Sequence, residues 1–204
     1  MPSPVDTAAD RQAVRRIARR ERTHLAGVLA RAFEDDELSR WIYRDHPSRL
    51  RWVRSDFRLR LSQHGPDDLS YTTDDLVGAA IWAAPDRWKG HATGQLRAFG
   101  AIPRVARNRV RIGEMQRELD RRHPSIPHLY LALLGVTRER RRTGLASALL
   151  VPALTLADER GWPAYVEAGS DEAAAFYESA GFSVTGAVQL PTAPVVHLMW
   201  REPR

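Results

Sequence analysis

Three consecutive arginines lead into a threonine and a glycine, Arg140-Arg141-Arg142-Thr143-Gly144, between an apolar run and a segment of helical spacing. The run at 128–136 (HLYLALLGV) reads as a central strand covered on both faces, and 145–160 reads as a helix. A helix start carries unpaired amide donors and a partial positive charge, which suits a phosphate. Gly144 removes the Cβ that would keep an anion away from those amides, and Ala146 is nearly as small. Neither GxxxxGK[ST] nor GxGxxG occurs, so the turn is neither a Walker loop nor a dinucleotide fingerprint. A tight strand-to-helix connection with Thr143 as N-cap and solvated arginines accounts for the same residues.

A second group follows at 164–182. Glu167 ends a short apolar strand, where its carboxylate is either a proton acceptor or a buried hydrogen-bond acceptor. Ser170 precedes Asp171-Glu172, the arrangement of an N-cap with acids in the first helical turn. Phe176-Tyr177 fits core packing, although a phenol of ordinary pKa ~10 also keeps its proton at neutral pH. His128 and Tyr130 lie on the central strand and His197 on the last one. No HxxxH or HxH spacing occurs, and Asp35-Asp36, Asp67-Asp68 and Asp74-Asp75 have the look of turn residues, so no metal site is expected. Without GxSxG a Ser-His-Asp hydrolase is unsupported, and without cysteine thiolate chemistry is excluded.

The elements that must hold these groups are readable in outline. The 204 residues suit one domain, with 1–12 as a loose end. A short strand is expected near Val14–Ile17, a helix from Thr23 ending in the acidic turn 34–37, and further helix at 41–43 and 50–61 before Gly65-Pro66-Asp67. Strand-like runs at 68–73 and 77–84 flank Asp74-Asp75 as a hairpin. Residues 86–127 form a helical insertion, interrupted at Pro103 and stopped by Pro124 and Pro127. After 145–160, which Pro152 should kink and Gly161 terminate, come a strand at 164–168, a helix at 171–180 and strands at 182–188 and 195–200. This order predicts an α/β (α+β) domain with a mixed sheet and helices packed on it.

Composition narrows the partners. With 31 Lys+Arg against 25 Asp+Glu the charge is +6, and Lys89 is the only lysine. Arginine's donor fork suits phosphate, though an Arg-rich, Ala-rich chain also follows from GC-rich codons. No apolar run approaches the ~18 residues of a membrane span and no secretory segment is evident, so a cytoplasmic protein with no membrane partner is expected.

Arg141-x-x-Gly144-x-Ala146 after a strand ending in Val136 resembles the coenzyme A loop (Gln/Arg-x-x-Gly-x-Gly/Ala) of the GNAT N-acetyltransferase superfamily. Ser170-Asp-Glu-Ala173-Ala-Ala-Phe176-Tyr177-Glu-Ser-Ala-Gly181-Phe182 is similar to that family's Asn-x-x-Ala-x-x-Phe-Tyr-x-x-x-Gly-Phe, with Ser170 replacing the usual Asn. Within the superfamily, 79–85 (AAIWAAP), 130–136 (YLALLGV) and 198–201 (LMWR) are most similar to the puromycin N-acetyltransferase-like group. The resemblance implies a sheet of about seven mostly antiparallel strands, splayed between the fourth and fifth, that uses acetyl-CoA and no metal. It implies that Leu134, Gly135 and Val136 pair with the pantetheine arm, Gly135 suiting a bulge. Arg141, Arg142, Thr143, Gly144, Leu145 and Ala146 would cradle the pyrophosphate, with Ser170, Ala173, Phe176 and Tyr177 alongside. Tyr177 takes the place of the general acid, Glu167 that of the base, and the Leu134 N–H polarises the thioester carbonyl. His128, Tyr130, Trp82 and Phe33 are the expected acceptor contacts, and Trp41, Tyr43, Trp52 and Trp88 could wall the pocket.

The reading is therefore an N-acetyltransferase acting on a primary amine of a small molecule, an antibiotic or metabolite, as a monomer or homodimer. Two alternatives stand beside it: a protein Nα- or Lys-acetyltransferase, and a non-catalytic coenzyme A- or nucleic-acid-binding module built on the arginines of 104–122. That stretch has no helix-turn-helix pattern and no interleaved aromatics, so no nucleic-acid partner is expected.

Overall fold

The computed structural model describes residues 13–43, 48–62, 69–85, 87 and 106–204. Its strands are β1 (Val14–Arg16), β2 (Tyr71–Thr73), β3 (Gly78–Ala83), β4 (Leu129–Val136), β5 (Ala164–Ala168), β6 (Ser183–Val188) and β7 (Val196–Arg201). They form a seven-stranded sheet of order β1-β2-β3-β4-β5-β7-β6. Only β4 and β5 run parallel; the other neighbours are antiparallel. The mixed, mostly antiparallel sheet expected from the sequence is the one observed. The turn at 65–67, the end at 1–12, Trp88 and Pro103 lie outside the described residues.

The helices are α1 (Arg22–Ala32), α2 (Glu37–Ile42), α3 (Arg49–Ser62), α4 (Ala106–Arg122), α5 (Leu145–Glu159) and α6 (Asp171–Ser179). On one face of the sheet, Leu149, Leu150 and Ala153 of α5 and Ala174 and Tyr177 of α6 bury Leu129, Leu131 and Val166. On the other, Leu25 and Leu29 of α1 and Val53 and Phe57 of α3 cover Ala79, Ile81 and Leu133. Met115 and Leu119 of α4 and Trp41 of α2 cover Tyr165 and Leu198 on that same side. Each such leucine contributes about 1.5–3 kcal/mol when fully buried. That burial lets α5 run through Pro152 to Glu159, against a local cost of about 3 kcal/mol. No helix among the described residues is long and apolar enough to cross a membrane.

Two irregularities of β4 shape the site. Ile81 faces Leu133 and Trp82 faces Leu131, which leaves Ala132 as the extra residue of a bulge. The bulge expected at Gly135 is therefore three residues earlier, and Gly135 keeps regular register with Ala79. Gly135 is small for another reason: a Cβ there would stand 3.0 Å from Leu29 Cδ2 and 3.1 Å from Phe33 Cε2, so α1 would have to shift by a few tenths of an ångström to lie against the strand. The second irregularity is that pairing with β5 covers only Leu129–Leu131 against Ala164–Val166. From Ala132 onward the two parallel strands part.

Candidate active site

The turn after β4 starts with a 3-10 turn at Arg138–Arg140 and ends at Gly144, which caps α5 at φ 79°. Arg142 is also left-handed, at φ 60°, which costs a non-glycine residue about 1–2 kcal/mol. Gly144 offers no side chain to the first amides of α5, and a Cβ built on it would meet nothing within 4 Å. Thr143 is not the N-cap; its Oγ1 donates to the Arg140 carbonyl at 2.8 Å and closes the turn on itself. Arg141 anchors the turn by donating from a guanidinium nitrogen to the Ala32 carbonyl at the end of α1, 2.7 Å away. Arg138 pairs with Asp35, which also holds Arg40 at 2.7 Å. The open amides, the clear space over Gly144 and the surrounding guanidinium charge fit a pyrophosphate.

From this turn a cleft of about 1100 Å³ runs along the gap between β4 and β5. Of the residues the resemblance assigns to the coenzyme, Leu134, Gly135, Val136, Arg141, Arg142, Gly144, Leu145, Ala146, Ser170, Ala173, Phe176 and Tyr177 line it, whereas Thr143 does not. Ser170 caps α6, its Oγ accepting from the Ala173 N–H at 3.2 Å. Tyr177 enters from the α6 side, edge-on to Phe176 and Phe182. Burial, reinforced by the Asp36 charge, lifts its phenol well above the ordinary value of 10, so it stays protonated.

Glu167 reaches the cleft from the opposite face of the sheet. Tyr130 Oη donates to its Oε2 at 3.1 Å and Tyr165 Oη to its Oε1 at 3.4 Å. Burial and the Glu167 charge hold both phenols far above their usual range, so both remain donors. Asp36 belongs to the acidic turn 34–37, in which the sequence singles out no one carboxylate. Its Oδ2 accepts the Ser39 N–H at 2.7 Å, and its Oδ1 lies 3.8 Å from where a Cβ on Gly169 would be. Burial pushes the Asp36 carboxyl up despite its bonds to Ser39. Its pattern Asp-x-x-Ser is a local capping signal, but nothing local reveals that it faces β5.

Of the residues named for the acceptor, Tyr130 and Phe33 line the cleft. His128 and Trp82 do not. Trp82 is fully buried under α5, because β3 alternates regularly and puts it on the same face as Ala80, opposite Ala79 and Ile81. His128, 1% exposed, stacks against His123, Tyr165 and Trp200 behind the site. Tyr43 lines the cleft, whereas Trp41 and Trp52 pack in the helix–sheet interfaces. His197 ties β7 to Asp171 of α6 at 2.7 Å. Among the described residues no three histidine or acidic side chains gather as a metal site.

Comparison with known proteins bears on this arrangement. A family profile described as acetyltransferase (GNAT) domain matches residues 105–192. The fold superposes on the histone acetyltransferase HPA2 and related acetyltransferase of Corynebacterium glutamicum with a TM-score of 0.70 at 26% identity, over 95% of this chain and 97% of that one. Arylalkylamine N-acetyltransferase 2 of Aedes aegypti gives 0.62 at 14% identity, over 96% and 100% of the two chains. An N-acetyltransferase of Staphylococcus aureus gives 0.57 at 15% identity, over 92% and 99%. Residues 105–192 thus match a GNAT acetyltransferase domain, and the chain is an acyltransferase whose donor is acetyl-CoA.

Proposed function

We propose that the acceptor is a primary amine of a small molecule, and that the acetyl group passes to it directly while donor and acceptor are bound together. The observation that carries this reading is the meeting of Glu167 and Tyr177 in one cleft from opposite faces of the sheet. On the Glu167 side the cleft is lined by Leu38, Ile42, Met115 and Leu119, with Asp36, Asp56 and Glu167 among its carboxyls and Arg60 paired with Asp56 at 2.9 Å. Such a pocket suits a cation on an apolar body. Arg111 of α4 donates to the Trp41 carbonyl of α2 at 3.1 Å, so these helices roof the cleft, which favours a compact acceptor over an extended chain. The similarity of 79–85, 130–136 and 198–201 to the puromycin N-acetyltransferase-like group points the same way.

Bound acetyl-CoA supplies an acetyl group activated as a thioester. Glu167, kept in place by two phenol donors, takes a proton from the acceptor ammonium and leaves a nucleophilic amine. The Leu134 N–H supports the developing oxyanion, an interaction worth a few kcal/mol in a dry site. Tyr177 keeps its proton at neutral pH and presents it to the departing sulfur. The amides at the start of α5 and the guanidinium groups beside them hold the donor's phosphates, so reacting atoms are oriented before chemistry.

An acetylation assay over a panel of aryl, alkyl and aminonucleoside amines, read as free thiol, tests the reading. Turnover on an amine, falling about a hundredfold or more in Glu167→Gln, is expected. Turnover confined to peptide Nα or lysine amines would overturn the small-molecule acceptor.

A further inference from the structure

The buried stripe of α3 is made by Val53, Phe57 and Leu61, and a carboxylate interrupts it: Asp56, whose side chain is 4% exposed. A leucine would fill this inward position without the cost of taking a charge out of water. Arg60, one turn on, donates from Nε to Asp56 Oδ2 at 2.9 Å. Asp56 Oδ1 is buried and has no hydrogen-bond partner among the described residues. Pairs that tie the fold together are made differently in this chain. Arg201 meets both oxygens of Asp158 at 2.7 Å, and Arg15 both oxygens of Glu21 at 2.9 Å. A carboxylate oxygen shut away from water with nothing donating to it is costly, and few buried polar atoms of native proteins are left so. Asp56 borders the cleft together with Tyr43, Phe57 and Arg60, on the face of the sheet from which Glu167 enters. The missing donor therefore belongs to what the cleft takes in.

We propose that Asp56 sets acceptor specificity: its Oδ1 accepts a hydrogen bond from a neutral donor, a hydroxyl or amide N–H, that the acceptor carries apart from the amine to be acetylated. This rests on the small-molecule amine proposed above. Arg60 decides for a neutral group. With its guanidinium on Oδ2 the pair is close to neutral, and an ammonium on Oδ1 would set two cations on one carboxylate. Attraction of the reacting ammonium falls to Glu167, whose hydrogen-bond donors are uncharged phenols. The two carboxylates thus sort the two ends of one acceptor, amine to Glu167 and neutral donor to Asp56. The terminal torsion of an aspartate is broad, so a small rotation turns Oδ1 to the cleft while Arg60 follows on its longer stem. An analogue with a methyl in place of the donor would leave the oxygen unpaired, and such sites reject analogues more strongly than apolar pockets do.

The test compares amines of one aryl-alkyl skeleton that bear, at the end remote from the amine, a hydroxyl, an amide N–H, a second ammonium or a methyl. With acetyl-CoA, kcat/KM for the hydroxyl or amide compound should exceed that for the methyl compound about ten- to a hundredfold, the faster of the two naming the donor. In Asp56→Leu combined with Arg60→Met both charges go together and none is left unmatched, and that ratio should fall to about one or below. Equal rates for hydroxyl, amide and methyl compounds in the wild-type chain overturn the proposal whatever the variant does, and leave the small-molecule reading intact. A ratio that survives in the double variant overturns the role of Asp56, and a preference for the second ammonium overturns the neutral donor. Silence on these and on every amine of the wider panel overturns the small-molecule reading and the proposal with it.

Discussion

Gly144 separates two demands that usually coincide, conformation and space. At φ 79° a residue with a Cβ loses about 1–2 kcal/mol, and asparagine loses less. Nothing lies within 4 Å of the Cβ position, so no clash adds to that cost in the free protein. Gly144→Ala should therefore lower Tm by roughly 2–8 °C for a domain of this size, and Gly144→Asn by less. Coenzyme A binding should respond in the opposite proportion. Any side chain at 144 projects into the space through which phosphate oxygens reach the first amides of α5. Losing one hydrogen bond to a charged group costs about 1.5–3 kcal/mol, which is about ten- to a hundredfold in Kd. Calorimetric titration with coenzyme A, beside thermal melts of the same samples, reads both quantities. Asparagine should regain most of the stability and little of the affinity. If affinity returns together with stability in Gly144→Asn, only the backbone conformation matters and the close approach of phosphate to this glycine is refuted.

Other perturbations test other parts of the site. Tyr177→Phe keeps the edge contacts with Phe176 and Phe182 but removes the proton, so kcat should drop about a hundredfold or more with coenzyme A affinity unchanged; an unaltered kcat refutes the acid role. Gly135→Ala places a methyl 3.0–3.2 Å from Leu29, Phe33 and Ala32, and urea unfolding should show a loss of about 1–3 kcal/mol as α1 is pushed off β4. Arg201, 4% exposed, is held by Asp158 through two 2.7 Å bonds, so Asp158→Asn should cost about 3 kcal/mol by leaving a buried guanidinium charge unmatched. The Arg201 guanidinium holds the Asp158 carboxyl below its ordinary 3.8, so the pair's contribution is complete above that pH and fades as pH falls toward the depressed native value. Melting curves from pH 6 down to about 2 should therefore lose an acid-sensitive component in the Asn variant.

The parts of the site that were legible in the sequence are those written in neighbouring residues. Ser170 ahead of two acids is a cap whose geometry is complete within four residues, and the hydrogen bond to Ala173 follows from it. The anion turn is likewise local, since a small residue at a helix start exposes amides wherever the rest of the chain lies. Asp36 could not be found that way. It gains its meaning from Gly169 and Tyr177, partners brought near only by the sheet. The acidic stretch 34–37 shows the limit well. One carboxylate, Asp35, pairs with Arg40 and Arg138 as a solvated helix end should, and the next turns inward. Adjacent residues of one type thus have opposite surroundings, which composition and periodicity cannot separate.

The bulge at Ala132 decides which parts of β4 meet at the cleft. Up to Leu131 the strand alternates normally, with Tyr130 on the α4 side, where it reaches Glu167. One inserted residue shifts the alternation, so Leu133 and Gly135 take the α1 side while Leu134 and Val136 pack with the α5 cluster. The same insertion coincides with the end of pairing between β4 and β5. Past it, the β5-facing edge of β4 presents peptide groups that lack a strand partner there, and burying such a group unpaired costs about 1–3 kcal/mol. Hydrophobic collapse of the gap would incur that cost several times over, so the gap is stable only as a polar cleft that water or an amide-bearing ligand can pair with. A flat β4 would place Tyr130 and Leu134 on one face and keep the ladder closed. The phenol donor to Glu167 and the peptide edge at Leu134 serve one cleft because a single residue breaks both the alternation and the ladder.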